Sequence, residues 1–174
     1  MSRAFTKEDD SLQAPIIPPR AALPPGVPNY VTPRGLQQLR EELEELETER
    51  TKAEANRDDA AERTLRITII KGKISALTQR LASARVIDPR EQPADEVRFG
   101  ATVTLRTLRG GKAGTVRTFT IVGVDEASVQ EGKIAFIAPI ARAVTGRKAG
   151  DTATLQLGRA QEEVVITNIS YEVT

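Results

Sequence analysis

The chain contains no cysteine, no histidine and no tryptophan, and aromatic residues make up only 3% of its 174 residues. Lacking thiols and imidazoles, it can form no disulfides, thiolate nucleophiles, histidine general bases or ordinary zinc sites, as suits a reducing compartment. So few aromatics argue against a broad stacking surface for bases. A net charge of +1 gives no global attraction to nucleic acid or membrane, so electrostatic steering has to come from local asymmetry. No segment reads as a signal peptide or a membrane span, because the longest apolar run, residues 134–144, is interrupted by Pro139 and Arg142. The expectation is a soluble cytoplasmic protein of one or two small domains, with 39% hydrophobic residues supplying a modest core.

What the chain does have is a seam. Apolar or small residues recur at spacings of three and four through Leu36, Leu39, Leu43 and Leu46 to Ala53, and again through Ile67, Ile70, Ile74, Leu77, Leu81 and Ala84. This is coiled-coil periodicity, but counting in sevens from Leu36 never lands on Ile67, so the two runs do not share a frame. They mirror each other about Ala60, pairing Leu36 with Ala84, Leu39 with Leu81, Leu43 with Leu77 and Leu46 with Ile74. The first run carries Glu41, Glu42, Glu44, Glu45, Glu47 and Glu49, whereas residues 63–87 carry six Lys or Arg and no acid. Opposite charge favours the two runs lying antiparallel in one chain over a parallel dimer that sets like against like. The expected fold class is therefore α+β: an antiparallel helical hairpin over residues 30–88 with its tip at 57–63, a linker at 89–96, and a β domain over 97–174.

Ahead of the hairpin, residues 1–29 hold six of the ten prolines and no periodic apolar pattern, which predicts a polyproline-like or disordered extension. Thr32-Pro33 is a helix start, with a capping hydroxyl followed by proline at the first helical position. Past Asp88-Pro89 and Pro93 the period changes to two, as in Val97, Phe99, Ala101, Val103 and Leu105. The glycines and Lys112 in residues 109–114 predict a hairpin turn, since they lack Walker spacing. Further strands are expected at 116–124, 133–137, 152–157 and 163–171, with a short helix at 139–144, forming a small antiparallel sheet.

These residues resemble a known family. Residues 30–35 (Tyr-Val-Thr-Pro-Arg-Gly), with Leu39, Glu42, Leu43 and Leu46, are similar to the start of the long hairpin in bacterial transcription elongation factors of the GreA/GreB type. In the second domain residues 97–101, 121–127, 132–134, 139–143 and 150–151 follow that family's pattern in order. The resemblance implies an FKBP-like C-terminal domain that docks on the rim of the RNA polymerase secondary channel, and a hairpin that enters the channel. The factor would act as a cofactor rather than an enzyme, and as a monomer with no membrane partner. Tip carboxylates would help hold a Mg2+ ion of the polymerase active site, and the polymerase would cleave the 3′ end of backtracked nascent RNA.

By that resemblance Asp59 and Glu62, spaced Asp-x-x-Glu, are the metal-directed catalytic acids, with Asp58 as an additional one. Arg57, Arg63 and Arg66 become RNA contacts, and Asp125, Glu126 and Arg142 the polymerase-docking residues. Both arms are about a heptad shorter than usual for the family, which removes roughly 10 Å of reach. A secondary-channel regulator without cleavage activity, a peptidyl-prolyl isomerase and a coiled-coil adaptor are the competing readings.

Overall fold

The computed structural model describes residues 16–172 of the chain. A short strand β1 (Asn29–Val31) leads into helix α1 (Pro33–Ala55), which is followed by helix α2 (Ala60–Ser83) and strand β2 (Ala84–Val86). The helical hairpin exists as the seam predicts. Leu39, Leu46 and Leu77 are buried together with Val31, and Leu36, Leu43, Ile74, Leu81 and Ala84 pack around them. Ala53 and Ile70 close the seam nearer the tip.

The chain reverses without glycine or proline. Asn56 ends α1, its amide bonding back to the carbonyls of Lys52 and Ala53, and its side-chain Oδ1 accepts the Asp58 amide at 3.0 Å. Asp59 then caps α2. The turn thus lies at residues 56–59, just ahead of the mirror point, and local side-chain to backbone bonds make it.

At the base, the second helix stops at Ser83, short of the expected end near residues 86–89. Ala84 to Val86 instead pair in parallel with Asn29 to Val31. Asn29, expected in the extension, is buried in this strand and donates to the Arg80 carbonyl and the Ser83 hydroxyl. Residues 16–28 have no helix or strand, but they are not free: Arg20 and Ala21 bond to the hairpin and to the second domain. The extension, expected to be polyproline-like or disordered, thus makes specific contacts over these residues, while Pro15 and everything before it lie outside the described residues.

The second domain is a five-stranded sheet in the order β5-β4-β3-β7-β6, made of β3 (Ala101–Arg109), β4 (Val116–Val122), β5 (Lys133–Ala135), β6 (Thr152–Leu157) and β7 (Ala160–Tyr171). The glycine-rich stretch after Arg109 is the β3–β4 hairpin turn, as its sequence indicates. The sheet is mixed rather than antiparallel, because β5 runs parallel to β4. Residues 123–132 provide the crossover this requires. Helix α3 (Pro139–Val144) packs Ala141 and Val144 into a core with Val97, Val103, Leu105, Phe119, Ile121, Leu155, Val164 and Ile166. Val97 is fully buried ahead of β3, bonded to Arg147 and Gly146 rather than to a neighbouring strand.

Candidate functional site

The rod's far end is built from Asn56 to Arg63. Asp59 is the N-cap of α2, and its Oδ1 accepts the amides of Ala61 at 2.9 Å and Glu62 at 3.1 Å. Glu62 stands three residues on, in the helix's first turn, where its charge complements the positive end of the helix dipole. The Asp-x-x-Glu spacing thus has a structural meaning of its own as a capping signal. Asp58, Asp59 and Glu62 are all exposed, and none takes part in an ion pair among the described residues. Arg57 and Arg66 are exposed too, whereas Arg63 turns back to donate to the Asn56 carbonyl at 3.2 Å. All three acids therefore face solvent at the far end of the rod.

No group of three or more carboxylates among the described residues is placed to hold a metal ion by itself. Mg2+ is commonly held by one or two carboxylates together with waters and phosphates. The Asp59 oxygen not used in capping and the Glu62 carboxylate are the groups at the tip that could contribute to such a site.

The other predicted residues divide. Asp125 and Glu126 lie inside the junction between rod and sheet rather than on an outer face. The Asp125 side chain, 8% exposed, is held by Arg80 at 2.9 Å and Arg20 at 3.1 Å. Glu126 accepts the hydroxyl of Thr32, which itself caps α1 by accepting the Gly35 amide at 2.9 Å, and Lys133 lies 3.6 Å from it. Each carboxylate is thus turned inward against cations of its own chain, as a joint between the two parts. Arg142 is exposed, as expected.

Arg142 stands at the rim of a cleft of about 710 Å³ that sequence reasoning missed. Its wall is a trio of rings, Tyr30, Phe99 and Phe136, with centroids 5.5–5.8 Å apart in tilted or edge-on pairs. These three come from β1, the stretch before β3 and the stretch after β5, so no local pattern marks them. Arg98 and Gln92 share the rim.

In sequence the chain is similar to known proteins. Residues 92–171 match the family described as "Transcription elongation factor, GreA/GreB, C-term". Transcription elongation factor GreA of Methylococcus capsulatus is 37% identical over 155 residues, covering 81% of this chain and 96% of the relative. Transcription elongation factor GreB of Neisseria meningitidis is 37% identical over 157 residues, covering 82% and 94%. A solved GreA/GreB structure from Nitrosomonas europaea aligns with 83% of this chain and 99% of its own, at 20% identity and a TM-score of 0.40. The protein is thus of the transcription elongation factor class. The chain belongs to the GreA/GreB family.

The alignments also bear on length. The 155-position match to the Methylococcus protein draws on 81% of a 174-residue chain, so about 14 of its positions have no counterpart here. No helix among the described residues is long and apolar enough to cross a membrane.

Proposed function

We propose that this protein binds RNA polymerase, passes its helical hairpin through the secondary channel, and stimulates the polymerase to cleave backtracked nascent RNA. The carrying observation is the set of unpaired carboxylates, Asp58, Asp59 and Glu62, at the end of a rod about 35 Å long by helical rise. Bound Mg2+ in the polymerase would supply Lewis-acid activation of the scissile phosphate and of water.

The chain's own contribution is positional. The seam keeps the two helices together, the Asp59 cap fixes the first turn of α2, and that turn holds Glu62 beside Asp59 with its carboxylate free. Arg57 and Arg66, exposed beside the acids, offer charge to the phosphates of extruded RNA. Arg142 and the aromatic cleft remain as the outward-facing part of the docking surface.

The test is RNA cleavage in stalled, backtracked complexes. The full-length protein is expected to release short 3′ fragments in Mg2+, and Glu62→Gln to abolish that release while still competing for polymerase.

A second reading is occupancy of the same channel without cleavage. The arms, read from the sequence as about a heptad shorter than usual for the family, favour it, because shortening both withdraws the acids from a metal at fixed depth. Binding to polymerase with no fragment release by the unmodified protein would decide for this reading.

A further inference from the structure

Rod and sheet meet near the base of the rod, where Arg80 of α2 bonds Asp125 directly at 2.9 Å. Tyr30 enters the aromatic trio and Thr32 bonds Glu126, and both lie within three residues of the chain. Contacts confined to the base of a long rod act as a pivot, since small dihedral changes there swing the rod through a large arc.

The proline-rich segment adds a further tie at Asp125, from the side of α1. Arg20 grips Glu42 of α1 with both terminal nitrogens, Nη1 to Oε1 at 2.6 Å and Nη2 to Oε2 at 3.0 Å. The same guanidinium reaches Asp125 of the sheet domain, with Nη2 at 3.1 Å and Nε at 3.3 Å. Arg80 of α2 bonds the other oxygen of Asp125 and also the Ala21 carbonyl. One arginine therefore ties both parts together about 15 Å along the rod from Thr32, measured by helical rise. Bidentate, partly buried pairs of this kind hold geometry far better than flexible surface pairs.

A packing contact fixes the segment independently of charge. Gly72 lies in the interior of α2, where glycine disfavours the helix. A Cβ at that position would fall 1.9 Å from Ile17 Cδ1, so the missing side chain is the notch that admits Ile17. Pro18 and Pro19, which follow it, restrict the segment to an extended path that needs no internal hydrogen bonds.

We propose that residues 17–21 form an intrachain brace that sets the direction of the rod relative to the sheet domain, with Arg20 as its positioning residue. Its consequence for delivering the tip rests on the polymerase reading above, but the brace itself is a property of the isolated chain.

The absence of cysteine makes the test direct. Spin labels on an Ala55→Cys, Thr154→Cys double variant of the full chain, both at exposed positions, report the rod-to-sheet distance by pulsed EPR. The parent is expected to give one narrow distribution, and Arg20→Ala to widen it by about twofold, as release of a hinge does. Gly72→Leu fills the notch with a better helix former, so it displaces Ile17 without weakening α2, and it is expected to widen the distribution as well. Far-UV circular dichroism confirms that each variant remains folded, and if Arg20→Ala does not, Gly72→Leu carries the test. A distribution as narrow as the parent's in the folded variants overturns the brace. Because no polymerase is present, that failure would leave the cleavage reading untouched, and failure of cleavage would leave the brace untouched.

Discussion

The Thr32 hydroxyl donates to the buried Glu126 carboxylate while its oxygen accepts the Gly35 amide, so one side chain both starts the rod and joins it to the sheet. Removing that hydroxyl takes away a helix cap and leaves a buried carboxylate without its donor. Thr32→Val is expected to cost about 2–3 kcal/mol, read from denaturant unfolding. Gly35→Ala is expected to destabilise too, although alanine normally favours a helix by up to about 1 kcal/mol. Its Cβ would sit 2.7 Å from Glu126 Oε1 and 3.3 Å from Thr32 Oγ1, prising the pair apart.

At the tip, capping and charge can be separated. Asparagine caps as well as aspartate, so Asp59→Asn is expected to keep the stability of α2 while removing a negative charge, whereas Asp59→Ala loses about 1 kcal/mol. If the carboxylate itself serves cleavage, both variants lose fragment release to the same degree. Activity that survives in Asp59→Asn but not in Asp59→Ala would mean that only the shape of the tip matters.

On the sheet, the Thr107 hydroxyl holds the Glu162 carboxyl below its ordinary range, and Arg117 pulls the same way against the opposing effect of burial. A carboxylate whose pKa is lower folded than unfolded contributes its stability above the unfolded value, the normal glutamate range. It loses that contribution as pH falls through the lower, folded value. Unfolding free energy should therefore drop with acidification below the normal glutamate range. Glu162→Gln should flatten this part of the pH profile, as measured by urea titrations at successive pH values.

The seam of each helix is filled by the other helix of the same chain, with Leu39, Leu46 and Leu77 in one buried cluster. Sedimentation equilibrium is expected to give a monomer, because no apolar stripe of the rod remains for a second copy. A stable dimer would show that the hairpin exchanges arms between chains.

The rod was legible because a coiled coil writes its partner into its period. Leu36 to Leu46 and Ile74 to Ala84 name each other by spacing and by charge. The turn was harder to read, since Asn56 and Asp59 reverse the chain by bonding their own neighbours' amides, with no glycine or proline to announce it. The β1–β2 pair went unseen because three residues are too few to show alternation, and their partners lie more than fifty positions apart.

The site shows the same division. Exposed acids at a helix start, Asp59 and Glu62, follow from local sequence, because a cap and the first turn beside it are neighbours in the chain. Asp125 and Glu126 look like surface acids in sequence and are buried in the structure, since only the folded chain brings Arg20, Arg80 and Thr32 to them. Periodicity and charge determined the rod, its reversal and the acids it carries. Tertiary structure alone decided which carboxylates face solvent and which join the two parts, because burial and ion pairing depend on residues that sequence keeps far apart.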